Sequence, residues 1–380
     1  MSQSVEAPPT KETPPTPKLV ISKRAEFFLK LGMALFSALM VIGLLEGAAY
    51  VWERAQANSI YAWELVASRR IKLVEYTQPE AGYTLMEPES HYEWQGILVD
   101  INSQGLRSPE TTYEKPANTY RILNLGDSIA MGWGVGMEET YGQQLEQLMN
   151  QTDAAYPYEV INAGVPGWNP SNEAAFLEAE GLKYEPDLIL LDMTIVNDIY
   201  GGSALEKQDR PALLEWLRAN TYFWPFLTIQ MRWIEARSQD RERIDVIDPP
   251  TEAASYFPLD PDAEQWDKIW QSIERMNALA EENGAQFGLI LFPLEFQVLD
   301  EDYSIIPQEI IRERAAAADI PVLDLLPAYQ QACQQKPGGC QLEDRYLFAD
   351  VWMHPSAYGH EITAVLTQTF IQESFDLPLN

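Results

Sequence analysis

Histidine and cysteine are both scarce in this chain of 380 residues. The three histidines are His91, His354 and His360, and the two cysteines are Cys333 and Cys340. Histidine is the side chain that most often takes a proton from a hydroxyl near neutral pH. Because His91 lies upstream of the repeating α/β pattern described below, a hydroxyl nucleophile in this chain has two candidate bases, His354 and His360.

Positive charge is scarce as well. The chain has 26 Lys and Arg against 57 Asp and Glu, which gives a net charge of −31. This charge repels the phosphates of nucleic acids and anionic lipid headgroups, so we exclude nucleic-acid binding. We interpret the acidity as a solvated surface, since no motif indicates a cation site. Hydrophobic residues make up 46% of the chain, which is ample for a buried core.

Charged residues are absent from one stretch near the amino terminus, Leu31–Leu45, and the apolar character extends over Phe27–Trp52. Such a stretch can span a bilayer as a helix at about 1.5 Å per residue. Basic residues crowd its amino side, whereas Glu46 and other acidic residues accompany its far end. The positive-inside rule then predicts a single-pass protein with a cytoplasmic amino terminus and an extracytoplasmic body, periplasmic or extracellular. A signal peptide cleaved near Gly47-Ala48-Ala49 is the alternative.

The two cysteines flank a Pro-Gly-Gly loop that can bring them together. In an oxidising compartment we expect a disulfide between Cys333 and Cys340, and two free thiols are the alternative. No second pair of ligands follows at a spacing typical of zinc sites.

Composition changes divide the chain into four predicted regions. These are a disordered cytoplasmic tail over 1–24, a transmembrane anchor over 25–52, a juxtamembrane helix with a small β region over 53–117, and the main domain over 118–380. An aromatic-rich, helical insertion occupies about 199–261 of the main domain. We favour extra packing over a substrate or membrane-facing lid as its role, since aromatic clusters more often serve as core.

Apolar runs alternate with helix-period segments from about residue 118 onward. The predicted strands are 120–126, 159–164, 187–193, 286–292 and 321–325. This alternation predicts right-handed crossovers and a parallel sheet with helices on both faces. The expected fold class is therefore α/β, with a doubly wound, five-stranded parallel sheet in a three-layer α/β/α arrangement.

Four short blocks follow strand ends or lie in a late loop. They are Gly126-Asp127-Ser128-Ile129-Ala130, Asn162-Ala163-Gly164-Val165-Pro166-Gly167, Val196-Asn197-Asp198 and Asp350-Val351-Trp352-Met353-His354-Pro355-Ser356. A serine at the carboxyl end of a strand occupies the edge where open α/β sheets carry their reactive groups. Each block alone is an ordinary turn or helix cap, but together they supply a nucleophile, fixed hydrogen-bond donors and a base.

In their order and residues, these blocks resemble the SGNH, or GDSL-type, hydrolases, in their membrane-anchored bacterial form. The resemblance covers roughly residues 118–375 and implies a flavodoxin-like SGNH-hydrolase fold. It implies that Ser128 is the nucleophile and His354 the base. It also implies an oxyanion hole formed by the backbone N–H groups of Ser128 and Gly164 and the side-chain amide of Asn197.

The acid behind the base departs from the family pattern. The family acid lies three residues before the histidine, whereas Asp350 lies four before His354. We assign Asp350 as the catalytic acid, with Asp344 or a Ser-His dyad as alternatives. The third block also has Ile195 where the family has glycine.

Three further features receive no catalytic role. Ile101–Arg107 resembles a segment that precedes the domain in anchored relatives, and a β-turn whose arginine pairs with the acidic surface accounts for it. His360 is interpreted as a packing or capping residue. Gly132–Gly136 lacks both dinucleotide spacing and a Walker lysine, and no cofactor or metal is implied.

The expected activity is that of a membrane-anchored serine esterase. Its substrates would be O-acyl esters, chiefly acetyl esters, of cell-envelope or extracellular glycans, or related small esters. One alternative is an O-acyltransferase that modifies an exported polysaccharide. The other is a catalytically inactive envelope-binding protein of the same fold. The sequence indicates no protein partner.

Overall fold

The computed structural model of the protein describes residues 22–56, 82–94, 97–151, 156–195, 198, 211–238, 262, 264–300, 304–341, 344–349 and 353–377. Nearly all of the expected tail lies outside these residues. The predicted continuation of the first helix beyond residue 56 also lies outside them, as do Asn197 and Asp350.

The apolar stretch near the amino terminus forms one long helix, α1 (Lys23–Gln56). Its Lys23–Trp52 portion has a mean hydropathy of 2.2 over its most apolar window, and none of that window is buried. By length and composition this helix could cross a membrane, and a signal sequence would satisfy the same test.

Within the described residues, seven strands form two sheets. In chain order they are β1 (His91–Trp94), β2 (Ile97–Asp100), β3 (Tyr120–Gly126), β4 (Tyr158–Gly164), β5 (Leu188–Thr194), β6 (Gln286–Phe292) and β7 (Val322–Asp324). The first two pair as an antiparallel hairpin. The other five form a parallel sheet in the order β4-β3-β5-β6-β7. The predicted five-stranded parallel sheet is confirmed, with strand ends that differ from the predicted ones by at most one residue.

The central strands are buried over their whole length, which explains why they are continuous apolar runs rather than alternating ones. Every residue of β3 and of β5 is buried. A strand of a parallel sheet covered on both faces needs an apolar side chain on each face.

Helices cover both faces of the sheet. In chain order after α1 they are α2 (Ser128–Met131), α3 (Tyr141–Asn150), α4 (Pro170–Ala179), α5 (Ala212–Asn220), α6 (Phe223–Ser238), α7 (Glu264–Glu282), α8 (Glu295–Leu299), α9 (Ile306–Ala317), α10 (Leu326–Gln335) and α11 (Ala357–Ser374). α3 packs against α11, and α4 packs against α7. The crossover from β3 to β4 and the crossover from β4 to β5 run in opposite directions across the sheet. Right-handed connections therefore place these two pairs of helices on opposite faces. The three-layer arrangement is confirmed.

The region before β3 packs into the core of the parallel-sheet domain. Tyr83, Met86 and Leu106 are buried in the same hydrophobic cluster as the central strands. The indole N–H of Trp168 donates to the Thr84 carbonyl at 3.0 Å. The described part of the region predicted as 53–117 therefore shares one core with the domain that follows it.

Two described helices, α5 and α6, belong to the aromatic-rich insertion. α6 packs against the end of α1, where Tyr50 meets Tyr222 and Trp52 meets Phe226, with ring centroids 5.0 Å apart in both pairs. The Glu46 carboxylate accepts the Tyr222 amide at 2.6 Å, just before the first residue of α6. Glu46 therefore accepts hydrogen bonds at the amino terminus of α6, where the first backbone amides have no acceptor within the helix.

Candidate active site

Ser128 is the first residue of the short helix α2, at the carboxyl end of the central strand β3. Asp127 caps this helix, since its Oδ1 accepts the Ile129 amide at 2.7 Å. The neighbouring strands β4 and β5 lie on either side of β3, so Ser128 stands at the point where the sheet reverses its winding direction. Open α/β sheets bind ligands at this point.

His354 lies in a loop that precedes α11, 226 residues after Ser128. The amide of Ala349 donates to the His354 carbonyl at 2.7 Å, and Phe348 forms an antiparallel bridge with Pro355. Ser356 then caps α11 by accepting the Gly359 amide at 3.2 Å. These bonds form a narrow hairpin that holds the imidazole at the sheet edge.

The structure brings Ser128 and His354 into direct contact. Ser128 Oγ lies 2.7 Å from His354 Nε2, and the two residues are only 2% and 0% exposed. A hydroxyl hydrogen-bonded to an imidazole nitrogen has the geometry of a nucleophile and its general base. Because both groups are withdrawn from water, charges that develop there interact strongly with nearby dipoles.

Gly164 ends β4 directly against α2, the helix that begins at Ser128. A Cβ at this position would lie 2.2 Å from the Met131 nitrogen, so only glycine lets the strand approach α2 this closely. Its amide donates to Asn162 Oδ1 at 3.0 Å, and Asn162 Nδ2 donates to the Ala130 carbonyl at 2.7 Å. Gly164 thus lies against the helix that begins at Ser128, and its N–H, the predicted oxyanion donor, is bonded to Asn162 Oδ1.

Asp198, the described residue next to Asn197 in the chain, is bonded to the end of β5. Asp198 Oδ2 accepts the Thr194 amide at 2.6 Å, and Asp198 is 1% exposed. Ile195, the residue that replaces the expected glycine, is fully buried in the hydrophobic core. The departure at this position therefore serves packing, and Asp198 lies at the carboxyl end of β5.

Residues 125–362 match the GDSL-like Lipase/Acylhydrolase family, and the match spans more than half of the chain. The chain belongs to this family. Its enzyme class is accordingly that of a serine ester hydrolase, as predicted. No curated protein matches the chain.

Solved structures are similar to the chain at low sequence identity. A member of the lipolytic G-D-S-L family from Veillonella parvula DSM 2008 is 15% identical, with 67% of this chain and 99% of that one covered and a TM-score of 0.40. A catalytic mutant of an acetylxylan esterase from Geobacillus stearothermophilus is 16% identical, with 68% and 95% covered and a TM-score of 0.41.

Behind Ser128, the GDSL-family domain of this chain buries four carboxyl groups. Asp127, Glu173, Asp192 and Asp198 are each at most 1% exposed. Asp192 is hydrogen-bonded to the Tyr141 hydroxyl at 2.5 Å and to Asn124 Nδ2 at 3.3 Å. Neither carboxyl oxygen of Glu173 has a hydrogen-bond partner among the described residues. Within those residues no group of acidic, histidine or cysteine side chains could hold a metal ion.

Burial controls the protonation of these carboxyls. It raises the pKa of Glu173 well above its usual range, and the charges of Asp198, Asp127 and Asp192 raise that pKa further. The pKa values of Asp192 and Asp198 are also raised by burial, although hydrogen bonds from Tyr141 and the Thr194 amide oppose the shift. Because no donor among the described residues stabilises an ionised Glu173, we infer that Glu173 keeps its proton in the folded protein.

The sequence-based interpretation was right for His360 and wrong for Arg107, two buried residues near the candidate site. His360 Nδ1 accepts the Tyr141 amide at 3.2 Å, and burial lowers the pKa of His360 to about 3, so its interpretation as a packing or capping residue is confirmed. The expectation that Arg107 pairs with the acidic surface is wrong. Arg107 is 1% exposed and donates to backbone carbonyls beside Ser128.

Asp344 is held within its own turn by hydrogen bonds and an ion pair. Its carboxylate accepts the Gln341 amide at 2.8 Å and the Tyr346 amide at 2.9 Å, and it pairs with Lys336. These contacts use both oxygens, which argues against Asp344 as the acid that orients His354.

The two cysteines lie side by side as free thiols. The Cys340 amide donates to Cys333 Sγ at 3.3 Å, and burial with the neighbouring Cys333 raises the pKa of Cys340 to about 12. The disulfide between them stays a prediction for an oxidising compartment.

Proposed function

We propose that this protein is a membrane-anchored serine esterase that removes O-acyl groups, chiefly acetyl, from cell-envelope or extracellular glycans. The observation that carries the catalytic part of this proposal is the buried 2.7 Å contact between Ser128 Oγ and His354 Nε2. The helix α1 supports the anchor, with a cytoplasmic amino terminus and an extracytoplasmic catalytic domain.

The proposed reaction has two steps. His354 Nε2 takes the Ser128 proton while Oγ attacks the ester carbonyl carbon, and the collapsing tetrahedral intermediate breaks the bond to the alcohol, which receives that proton from the imidazolium. Water then attacks the acyl-serine with His354 again as base, which releases the carboxylic acid and restores the Ser128 hydroxyl.

The oxyanion of each intermediate requires donors that are already in place. We assign the Ser128 N–H, whose position at the start of α2 leaves it without an acceptor inside the helix. We also assign the Gly164 N–H, which an oxyanion would share with Asn162 Oδ1, and the side-chain amide of Asn197. Asp350 is the proposed acid that fixes the tautomer of His354, and the engagement of Asp344 elsewhere supports this choice.

A test of the nucleophile uses the full chain in detergent and an aryl acetate. We expect a burst of the aryl alcohol followed by steady turnover, and a loss of about 10³-fold or more in Ser128→Ala. Ser171→Ala is the matched control, because Ser171 is an exposed serine on α4 of the same domain. An unchanged rate in Ser128→Ala would refute the assignment of the nucleophile.

A second test addresses the substrate. Acetate release from an acetylated glycan oligosaccharide would be compared with release from esters of longer acyl chains, with and without an unacetylated glycan acceptor. Hydrolysis predicts one acetate for each acetyl group lost. If acetyl groups are found on the acceptor, the reaction is transfer and not hydrolysis. A preference for esters of long acyl chains would refute the proposal that the substrate is an acetylated glycan.

A further inference from the structure

Arg107 is a buried cation whose hydrogen bonds go to backbone carbonyls. It follows β2 in the segment that precedes β3, and it is 1% exposed. Its Nη1 donates to the carbonyls of Met131 at 3.2 Å and Gly132 at 2.6 Å, and its Nη2 donates to those of Val135 at 2.8 Å and Leu98 at 3.2 Å. Burial lowers the pKa of Arg107 to about 10, so the guanidinium remains charged at neutral pH.

Three of these carbonyls belong to the nucleophile's own helix and to the turn that follows it. Met131 is the last residue of α2, and Gly132–Val135 form the turn that leaves it. The last carbonyls of a helix lack donors within the helix, and a buried carbonyl without a donor is costly. The planar guanidinium supplies several donors at fixed angles, which a single ammonium group does not.

The same turn contacts the base. The indole ring of Trp133 lies 6.0 Å from the His354 ring, centroid to centroid, and the Trp133 amide donates to the Ser128 carbonyl at 2.9 Å. Gly134 has a φ of +86°, and a Cβ there would lie 2.8 Å from the Cβ of Ala349. Ala349 is the residue whose amide bonds the His354 carbonyl at 2.7 Å. The 132–135 turn therefore touches both the imidazole ring and the hairpin that carries it.

We propose that Arg107 is a positioning residue for the proposed Ser128–His354 pair. By fixing the carbonyls of the 132–135 turn, it holds Trp133 and Gly134 against His354 and keeps the imidazole within hydrogen-bond reach of Ser128. This inference rests on the proposed function. It gives the segment that follows β2 a role in the active site, although this segment precedes the sheet that carries the proposed catalytic residues.

The variant that tests the proposal is Arg107→Lys, which keeps the charge and removes the planar fork of donors. Its matched control is Arg121→Lys. Arg121 is also fully buried and donates to the carbonyls of Tyr113 and Tyr184, but it lies at the opposite end of β3 from Ser128. Thermal unfolding of both variants measures how much stability the protein loses when a buried arginine is replaced by lysine.

Kinetics on the full chain should separate positioning from stability. We expect kcat for an aryl acetate to fall about 10- to 100-fold in Arg107→Lys, as for small misplacements of reacting groups, with KM changed by less than about twofold. Arg121→Lys should keep kcat per folded molecule. In addition, Trp133→Phe should cost much less in the Arg107→Lys background than in the wild type, because both act through one turn.

A spectroscopic readout does not depend on the substrate. With only three histidines in the chain, ¹³Cε1-labelled histidine gives three signals, and His354→Gln assigns one of them. The His354 signal should shift or broaden in Arg107→Lys and stay in place in Arg121→Lys. An unmoved His354 signal together with a kcat equal to that of the control overturns the proposal. If the wild type shows no turnover that depends on Ser128, the proposed function is wrong instead. The shift of the His354 signal alone then tests whether Arg107 positions the imidazole.

Discussion

Replacing Glu173 by Gln is expected to flatten the pH dependence of the protein's folding stability. Glu173 lies in the first turn of α4, fully buried, and neither carboxyl oxygen has a partner among the described residues. Burial raises its pKa well above the usual range, and the nearby carboxylates of Asp198, Asp127 and Asp192 add to the shift. The folded protein therefore keeps a proton that the unfolded chain releases above a pH of about 4.3.

The sign and slope follow from this difference in bound protons. While the folded state binds one proton more than the unfolded state, the free energy of unfolding falls by about 1.4 kcal/mol for each pH unit. The stability from this group is complete below the unfolded pKa and is lost as the pH rises towards the raised folded pKa. Glutamine has no titrating proton. The free energy of unfolding of Glu173→Gln, measured relative to the wild type, should therefore rise by about 1.4 kcal/mol for each pH unit over the same range.

Urea unfolding of the full chain in detergent at pH 5, 6, 7 and 8 measures this relative stability. Glu178→Gln is the control, since Glu178 lies on the same helix but is exposed and paired with Arg275. Its curve should run parallel to that of the wild type. If the Glu173→Gln curve is also parallel to the wild-type curve, Glu173 is ionised in the folded protein and our assignment of the proton is wrong.

Two further predictions concern other contacts. Gly164→Ala should destabilise the fold by about 3 kcal/mol and lower kcat, because its Cβ would meet the Met131 nitrogen at 2.2 Å. Gly142→Ala on α3, whose Cβ would make an ordinary 3.6 Å contact, should be tolerated, and equal thermal shifts for the two would contradict the steric argument. Glu46→Gln should weaken the start of α6 by about 1 kcal/mol, seen as roughly fivefold faster hydrogen exchange at the Tyr222 and Phe223 amides. Unchanged exchange there would mean that the Glu46 charge does not stabilise this helix.

The sheet was predictable from the sequence because its strands are buried on both faces. β3 and β6 begin and end where the apolar runs predict, since a continuous run of this kind is typical of the inner strands of a parallel sheet. The Ser128–His354 contact followed from the motif order and from the shortage of histidines. The short β7 was predicted one residue too long at each end, because hydrophobicity alone does not mark where ladder hydrogen bonds stop.

The residues that the sequence did not identify act through tertiary contacts. Arg107 bonds to backbone carbonyls, which every residue type carries, so no pattern of side chains marks its partners. Glu173 looks like an ordinary acidic residue in the first turn of a helix, where such residues are common. Its burial becomes visible only when α4 packs against the sheet and against the neighbouring helix α7. In the sequence analysis, Glu46 contributed only to the predicted orientation of the first helix in the membrane. Its bond to the start of α6 depends on an insertion far along the chain.

These unpredicted groups place Ser128 between a buried cation and a buried group of acids. On one side, Arg107 fixes the end of α2 and the turn that contacts His354. On the other, Asp127 caps the start of α2 and raises the pKa of the Glu173 carboxyl behind it. A cation at the carboxyl end of a helical turn and an acidic cap at its amino end both match the direction of the backbone dipoles. We interpret the net charge of −31 as that of a solvated surface, whereas the position of Ser128 depends on a few charges that the fold has withdrawn from water.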